Sequence, residues 1–340
     1  PPLRPADAGP AEALAPMART APRPRPERGN PEAPMPAAEP VDPAFAAWLD
    51  DFRARARAAG IADRTLEAAL TGIAPLPGVI ERDRSQGEFT LTLAEYLDRV
   101  VDERRVRAGR AAMADKRALL TRIEAAYGVP AGIVAAIWGV ESDYGATRGD
   151  LPVIAALATL AHDGRRGHFF EAQLIDALRI VEAGDVAPSR MRGSWAGAMG
   201  HTQFIPASYR AHAVDFDGDG RRDIWGDDPT DALASTAAYL AAHGWTRGQP
   251  WGLEVRLPRG FEPRLAGRGN ARAVQRWSEM GVRPAGGGTL PEAGEAAILM
   301  PEGAGGRAFL ILDNFAVIRR YNPADFYVIA VGLLSDRLRQ

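Results

Sequence analysis

Residues 127–145 read YGVPAGIVAAIWGVESDYG, and the fold turns on this stretch. Gly128-Val129-Pro130 punctuates it: glycine closes one helix in the left-handed region, and the residue before a proline is driven out of the α region. Ile133, Ile137 and Val140 then recur at helical spacing. The apolar run from Val129 to Val140 is 12 residues long, well short of the roughly 20 that a membrane-spanning helix needs, so no transmembrane segment is expected. Glu141 lies four residues after Ile137 and seven after Val134, which puts it on an apolar face in the last helical turn. Burial and the partial negative charge of the terminal carbonyls both disfavour the carboxylate and predict a raised pKa. A carboxyl kept protonated near neutrality is what a general acid for glycosidic cleavage requires. An ordinary surface glutamate at a fraying helix end fits the same pattern.

Working outward, most of the chain from Phe45 to about Leu240 is predicted to be helical. Phe45, Trp48, Leu49 and Phe52 form one face of a helix ending at Gly60. Asp63 is expected to cap a short helix through Leu66 and Leu70. After Pro75-Pro77 a long segment carries Leu93, Tyr96, Leu97, Val100 and Val101 on one stripe, and a further helix carries Leu119, Leu120, Ile123 and Tyr127. Helical stretches around 154–160, 169–181 and 232–242 follow. Beyond Gly244, residues 253–257, 297–300 and 309–312 are short strand-like runs between Gly/Pro-rich turns, and a helix from about Pro323 to Leu338 ends the chain. The expected fold is mainly α, a helical domain with a small β-containing insertion near the C-terminus. The expected segments are a Pro/Ala-rich tail over 1–43, an N-terminal helical part over 44–128, a core over 129–245, a small β-containing subdomain over 246–320 and a C-terminal helix over 321–340.

The first 43 residues hold 13 of the 27 prolines and no aromatic residue, a composition that cannot offset its ordering entropy. Over the 340 residues, 41 Lys and Arg stand against 43 Asp and Glu, a net charge of -2. A nucleic-acid partner is therefore not expected, since such proteins carry a clear basic excess. With no cysteine, disulfides, iron–sulfur clusters, thiolate zinc sites and cysteine nucleophiles are excluded. The first residue is Pro1 rather than Met, so a leading segment is expected to have been removed, with a signal peptide and a lipid-carrying cysteine as open alternatives for what it held.

Two more constellations bear on chemistry. Asp215-Phe216-Asp217-Gly218-Asp219-Gly220-Arg221 matches the first half of an EF-hand-like calcium loop, with oxygen ligands at positions 1, 3 and 5, a glycine at 6 and a backbone carbonyl at 7. Position 12 is Gly226 instead of a bidentate Glu, so Asp227, Asp228 or Asp231 has to close the shell. A plain Asp/Gly turn is the alternative. Gly193, Gly197 and Gly200 punctuate GSWAGAMGHTQF (193–204), where glycines permit close backbone approach and Ser, Trp, Gln and Phe are common sugar-contacting types. The five histidines show no HExxH-type spacing, and His162 and His168, flanking Asp-Gly-Arg-Arg, are expected at the surface. No Gly-x-Ser-x-Gly elbow is present.

Together these blocks resemble the lytic murein transglycosylase B family of bacterial cell-wall enzymes. The resemblance runs over about 43–338 through Phe45-x-x-Trp48-Leu49-x-x-Phe52, Val79-Ile80-x-x-Asp83-Arg84, Tyr127-Gly128-Val129-Pro130, Ile137-Trp138-Gly139-Val140-Glu141-Ser142, Ala196-Gly197-Ala198-Met199-Gly200, the Asp-rich loop, His243-Gly244-Trp245 and Tyr321-Asn322. It implies a lysozyme-like core in which Glu141 is the single catalytic acid and base. Ser194, Gln203, Tyr321, Asn322 and Tyr327 fall on its substrate-contacting positions, and Asp215, Asp217, Asp219, the Arg221 carbonyl and Asp231 on its calcium site. Calcium is thus the implied metal, with no organic cofactor. Here Gly226-Asp227 looks like a two-residue insertion before Asp228-Pro229, which leaves Asp223 or Asp228 as alternatives to Asp231. Phe169-Phe170 stands where the family often has a tyrosine.

The implied reaction cleaves the β-1,4 bond between N-acetylmuramic acid and N-acetylglucosamine without water. Glycosidases ordinarily place two carboxylates across the scissile bond, whereas Asp143 is only two residues from Glu141 and is expected to point elsewhere. The muramyl C6 hydroxyl attacks its own C1 and leaves a 1,6-anhydromuramic acid end, an intramolecular step with a large effective concentration. The implied partners are peptidoglycan glycan strands, with a component of the cell-wall machinery besides, and the implied location is the periplasm. A hydrolytic muramidase on the same fold and a non-catalytic peptidoglycan-binding scaffold are the rival readings.

Overall fold

The computed structural model describes residues 42–85, 91–292 and 294–340; the Pro-rich tail lies, up to residue 41, outside them. The described residues form two compact units, one made of 91–146 with 233–340 and the other of 42–85 with 147–232. The chain is mostly helical with a small antiparallel sheet between residues 252 and 311, as the hydrophobic periods require.

In the first unit, Thr92 opens the helix Leu93–Val100 with a capping box: its hydroxyl accepts from Glu95 N–H and the Glu95 carboxylate accepts from Thr92 N–H at 2.9 Å. The apolar stripe does not continue as one long helix. Asp102 stops it by accepting from Arg105 N–H at 2.6 Å, which caps a new helix, Glu103–Asp115. A side-chain acceptor offered to the backbone favours such a fresh start. The helix Arg117–Tyr127 ends at Gly128 with φ 73°, the left-handed closure the Gly-Val-Pro signal predicts. Ala131–Ser142 follows, buried at every residue from Gly132 to Gly139; a helix apolar all round has to be central. The C-terminal helix Asp325–Leu338 packs along it. Gly132 makes that approach close, since a Cβ there would lie 2.9 Å from Ser335 Oγ.

The sheet of the first unit has five antiparallel strands in the order Arg272–Ala273, Glu295–Leu299, Ala308–Ile311, Gly252–Arg256 and Arg283–Pro284. Register pairs Leu253 with Leu310 and Ile298 with Leu310. The period of two sends Val255, Ala296, Ile298, Ala308 and Leu310 into a small core around Trp277, whose Nε1–H donates to Ala296 O at 2.7 Å. Phe309, from the opposite face, meets Trp251 at 6.3 Å between ring centres. Trp251 in turn donates to Asp336 Oδ2 at 3.2 Å, and its indole lies 2.1 Å from where a Cβ on Gly332 would be. That fit ties the β-containing segment to the C-terminal helix.

In the second unit, Pro43–Ala58 buries Phe45, Leu49 and Phe52, and Trp48 stacks at 5.4 Å on Phe52. His162 is not the surface residue its turn suggests: it is half-buried and meets Phe45 edge-on at 5.4 Å, because the helix carrying it brings one ring face to an aromatic stripe. His168 is exposed. Asp63 is not the cap of Asp63–Leu70. Ala62 holds that position, and Glu182 supplies the missing acceptor to Ala62 N–H at 2.8 Å, a tertiary substitute for a local one. Asp83 is buried; although burial pushes its pKa up, hydrogen bonds from Arg165 and Arg166 hold it below the usual carboxylate value. Helices Val153–Asp163 and Gly167–Ala183 pack as a hairpin about Gly164. A two-stranded ribbon, Leu151–Pro152 with Arg192–Gly193, leads into residues 194–204.

Candidate active site

Glu141 occupies the penultimate position of Ala131–Ser142, where helix periodicity puts it among apolar neighbours. Its Oε1 accepts a hydrogen bond of 2.6 Å from the hydroxyl of Tyr327, a fully buried residue on the C-terminal helix. The Glu141 carboxyl is pushed up to about 7 from an ordinary 4.5 by burial, with the Tyr327 hydrogen bond opposing. Removing a carboxylate from water disfavours its charged form, and one hydroxyl donor recovers only part of that loss. The Tyr327 hydroxyl is itself raised far out of its normal range, first by burial and then by Glu141. A protonated carboxyl near neutral pH is the arrangement of a general acid.

The turn after Glu141 is built from two non-glycine residues in the left-handed region, Asp143 at φ 51° and Tyr144 at φ 59°. Such backbone costs about 1–2 kcal/mol per residue, and side chains hold it. Asp143 accepts from Arg104 at 2.7 Å, with Arg105 at 3.5 Å, so it is engaged away from Glu141 and no neighbouring carboxylate acts on the Glu141 pKa. The Tyr144 ring fills a slot between two helices, with its hydroxyl 2.1 Å from a Cβ position on Gly109 and its Cζ 2.5 Å from one on Gly139. A side chain at either glycine would expel it.

Also in the first unit, Tyr321 ends the helix Asp313–Tyr321 and meets Tyr239 edge-on at 5.1 Å. Asn322 is buried, and its Oδ1 accepts from Ala324 N–H at 3.1 Å at the start of the C-terminal helix.

The remaining expected residues belong to the second unit. Ser194 Oγ accepts from Ala198 N–H at 3.0 Å and closes a tight loop in which a Cβ on Gly193 would meet Ala198 O at 2.2 Å. Gln203 has φ 56°, and its Nε2 donates to Arg148 O at 3.0 Å and Gly200 O at 2.9 Å. Phe169 and Phe170 meet edge-on at 5.2 Å.

In the Asp-rich loop, the side chains of Asp215, Asp217 and Asp219 bring oxygens within 4.8 Å of one another, a spacing that fits one hard cation. Asp215 Oδ2 accepts from Gly220 N–H at 2.9 Å, which folds the loop at its sixth residue. Asp231 spans the loop from the buried side, accepting from Phe216 N–H at 2.8 Å and Asp223 N–H at 2.9 Å. Its carboxyl is pushed up to about 6, by burial first and then by the negative charges of Asp217 and Asp215. Of the alternatives, Asp223 Oδ1 accepts from Trp225 and Gly226 N–H, and Asp228 caps Thr230. Arg221 is exposed, and its N–H donates to Asp219 at 2.8 Å.

Sequence patterning missed the Arg104–Asp143 pair, the Tyr144 slot and the engagement of Arg148, because each joins residues that no local period connects.

A family model described as a transglycosylase SLT domain matches residues 44–336. The membrane-bound lytic murein transglycosylase B of Escherichia coli K12 is 35% identical over 224 residues, which are 64% of this chain and 59% of that protein. The chain therefore aligns with less than two thirds of this curated relative. SltB3 from Pseudomonas aeruginosa is 50% identical with a TM-score of 0.84, covering 88% of this chain and 80% of that one, in structures with NAG-NAM-pentapeptide and NAG-anhNAM-pentapeptide. Lytic transglycosylase Slt35 of Escherichia coli, in complex with calcium, is 29% identical with a TM-score of 0.72, covering 87% of this chain and 93% of that one.

Proposed function

Since the chain belongs to the transglycosylase SLT domain family, we propose that it is a lytic murein transglycosylase that cleaves the N-acetylmuramyl–N-acetylglucosamine bond of peptidoglycan glycan strands in the periplasm. The observation that carries this reading is the Glu141 carboxyl, raised to about 7 and held by Tyr327 at 2.6 Å.

Protonated Glu141 donates to the oxygen that joins the two sugars, and the bond from that oxygen to muramyl C1 breaks. Positive charge grows at C1 while Glu141 becomes a carboxylate, which the Tyr327 hydroxyl stabilises. The carboxylate then takes the proton of the muramyl C6 hydroxyl as that oxygen bonds to C1 and closes the 1,6-anhydro ring. No water enters the balance and Glu141 ends protonated, ready for another turnover. A lone carboxyl suffices because its two roles are sequential and the nucleophile is already attached to the sugar. Asp143, committed to Arg104, takes no part. We assign saccharide contact to Ser194, Gln203, Tyr321 and Asn322, the positions that the family resemblance marks.

The Asp-rich loop holds calcium through Asp215, Asp217, Asp219 and the Arg221 carbonyl, with Asp231 closing the shell. The convergence of the Asp215, Asp217 and Asp219 carboxylates supports this donor set, and the calcium complex of Slt35 supports the choice of metal. When bound, the ion would offset part of the loop's negative charge and stabilise its fold.

Digestion of purified sacculi, with product ends identified by mass spectrometry, tests the activity. Anhydro ends, one water lighter than reducing ends, are expected from wild type and not from Glu141→Gln. Reducing ends alone would establish a muramidase instead, and unchanged wall-clearing by Glu141→Gln would remove Glu141 from the chemistry.

A further inference from the structure

The part of the Asp-rich loop that departs from the calcium-loop template, Gly226-Asp227, is bound by a residue from elsewhere in the second unit. Arg148 Nη1 donates to Trp225 O at 3.1 Å and to Gly226 O, and Nη2 meets Asp227 Oδ1 at 3.0 Å. His201 joins the same point, with Nε2 2.8 Å from Gly226 O and its backbone N–H donating to Ile224 O at 3.1 Å. Gly200, at φ 70°, brings that backbone so close that a Cβ would stand 2.2 Å from Ile224 O. On its other side the Arg148 carbonyl accepts from Gln203 Nε2 at 3.0 Å. Gln203 is a non-glycine residue in the left-handed region, a conformation that surrounding contacts have to maintain.

The chain of contacts thus runs unbroken. Asp223 and Asp231 shape the turn 223–227, Arg148 grips that turn, and the Arg148 backbone orients the Gln203 amide. One nitrogen, Nη1, serves both carbonyls while Nη2 is turned to Asp227, so the planar guanidinium fixes the direction of all three contacts. The carbonyls matter more than the ion pair, because Asp227 is fully exposed and exposed pairs contribute little.

We propose that Arg148 is a positioning residue that couples the turn 225–227 of the Asp-rich loop to Gln203, so that calcium binding in the loop and saccharide binding beside Gln203 reinforce each other. This rests on the proposed function above for the roles of calcium and Gln203. Coupling is reciprocal, so each ligand tightens the other by one common factor.

The test uses the 340-residue chain. In Glu141→Gln, which binds saccharide without turnover, an N-acetylglucosaminyl-N-acetylmuramyl-peptide fragment is titrated calorimetrically with saturating calcium and with chelator. The expected affinity ratio is about fivefold or more, and adding Arg148→Ala brings it below about twofold. Adding Asp227→Ala instead preserves it, because the carbonyl contacts remain. In the active enzyme Arg148→Ala raises KM several-fold with kcat nearly unchanged, a split that general damage to the fold does not produce. A ratio kept in Arg148→Ala, or a fall in kcat at constant KM, overturns the proposal. If Arg148→Ala shows no cooperative melting, Arg148→Met, which keeps an apolar stem and loses every donor, is measured against the same criteria.

Calcium affinity without saccharide separates the two readings. Arg148→Ala weakens it several-fold if Arg148 holds the turn, and an unchanged affinity overturns the proposal even where the enzyme is fully active. A wild type that makes no anhydro ends overturns the functional reading and leaves that calcium measurement standing.

Discussion

At Glu141, one hydrogen bond and the loss of water around the carboxyl oppose each other, and both have consequences that can be measured. Glu141→Gln keeps the shape but removes the acid, so kcat falls by roughly 10²–10⁴-fold, the usual range for a general acid. Tyr327→Phe removes the donor that favours the carboxylate. The Glu141 pKa therefore rises above about 7, and the alkaline limb of the pH–kcat profile moves to higher pH. A limb that moves to lower pH would reverse the assigned role of Tyr327. Stability follows the same sign. The folded carboxyl has its pKa raised from 4.5 to about 7, so the native state binds more protons than the unfolded chain between those values and loses stability as pH rises through them. Glu141→Gln lacks this loss. Relative to wild type, its urea midpoint is higher at pH 8 than at pH 5.

Elements carry the next set of constraints, chiefly through glycines at contact points. The C-terminal helix meets Trp251 at Gly332, and a methyl group there would overlap the indole. Gly332→Ala therefore destabilises by about 1–3 kcal/mol, as overpacking does, and thermal melts read the loss as a lower Tm. The Asp-rich loop behaves differently because its cost is electrostatic. Asp215, Asp217 and Asp219 gather like charge, and a cation that binds only the folded loop stabilises by mass action, about 2.7 kcal/mol at a hundredfold excess over Kd. Millimolar calcium is expected to raise Tm in wild type and not in Asp217→Ala. An identical shift in both would move the cation elsewhere.

Over the whole molecule, among the described residues no single helix is long and apolar enough to cross a membrane. The central helix Ala131–Ser142 is apolar all round because Glu103–Asp115 and Asp325–Leu338 pack on it, which gives its Val129–Val140 apolar run a place inside a folded unit. Residues more than 180 positions apart, Glu141 and Tyr327, meet there. If the proposed reaction holds, with its intramolecular nucleophile, the products carry 1,6-anhydro ends at any extent of digestion, and reducing ends that accumulate with time would count against it.

Much of this was legible in the chain itself. The period of 3.6 around Phe45 and Ile133, the short strand-like runs at 253–257 and 309–312 between Gly/Pro-rich turns, and the Gly128-Val129-Pro130 stop are local signals, and the elements they specify are present. The placing of Glu141 on an apolar face was legible too, because a side chain four residues from Ile137 shares its face, and the residue is half-buried. Where a local signal was missing, the reading failed: Glu182 bonds the start of a helix that Asp63 does not cap. Which partner each exposed or buried polar group would find, Tyr327 for Glu141, Arg104 for Asp143, the turn at Gly226 for Arg148, was decided only in the folded state. Periodicity assigns a residue to a face, whereas a hydrogen bond needs two atoms within about 3 Å, and that distance is set by packing between segments remote in sequence.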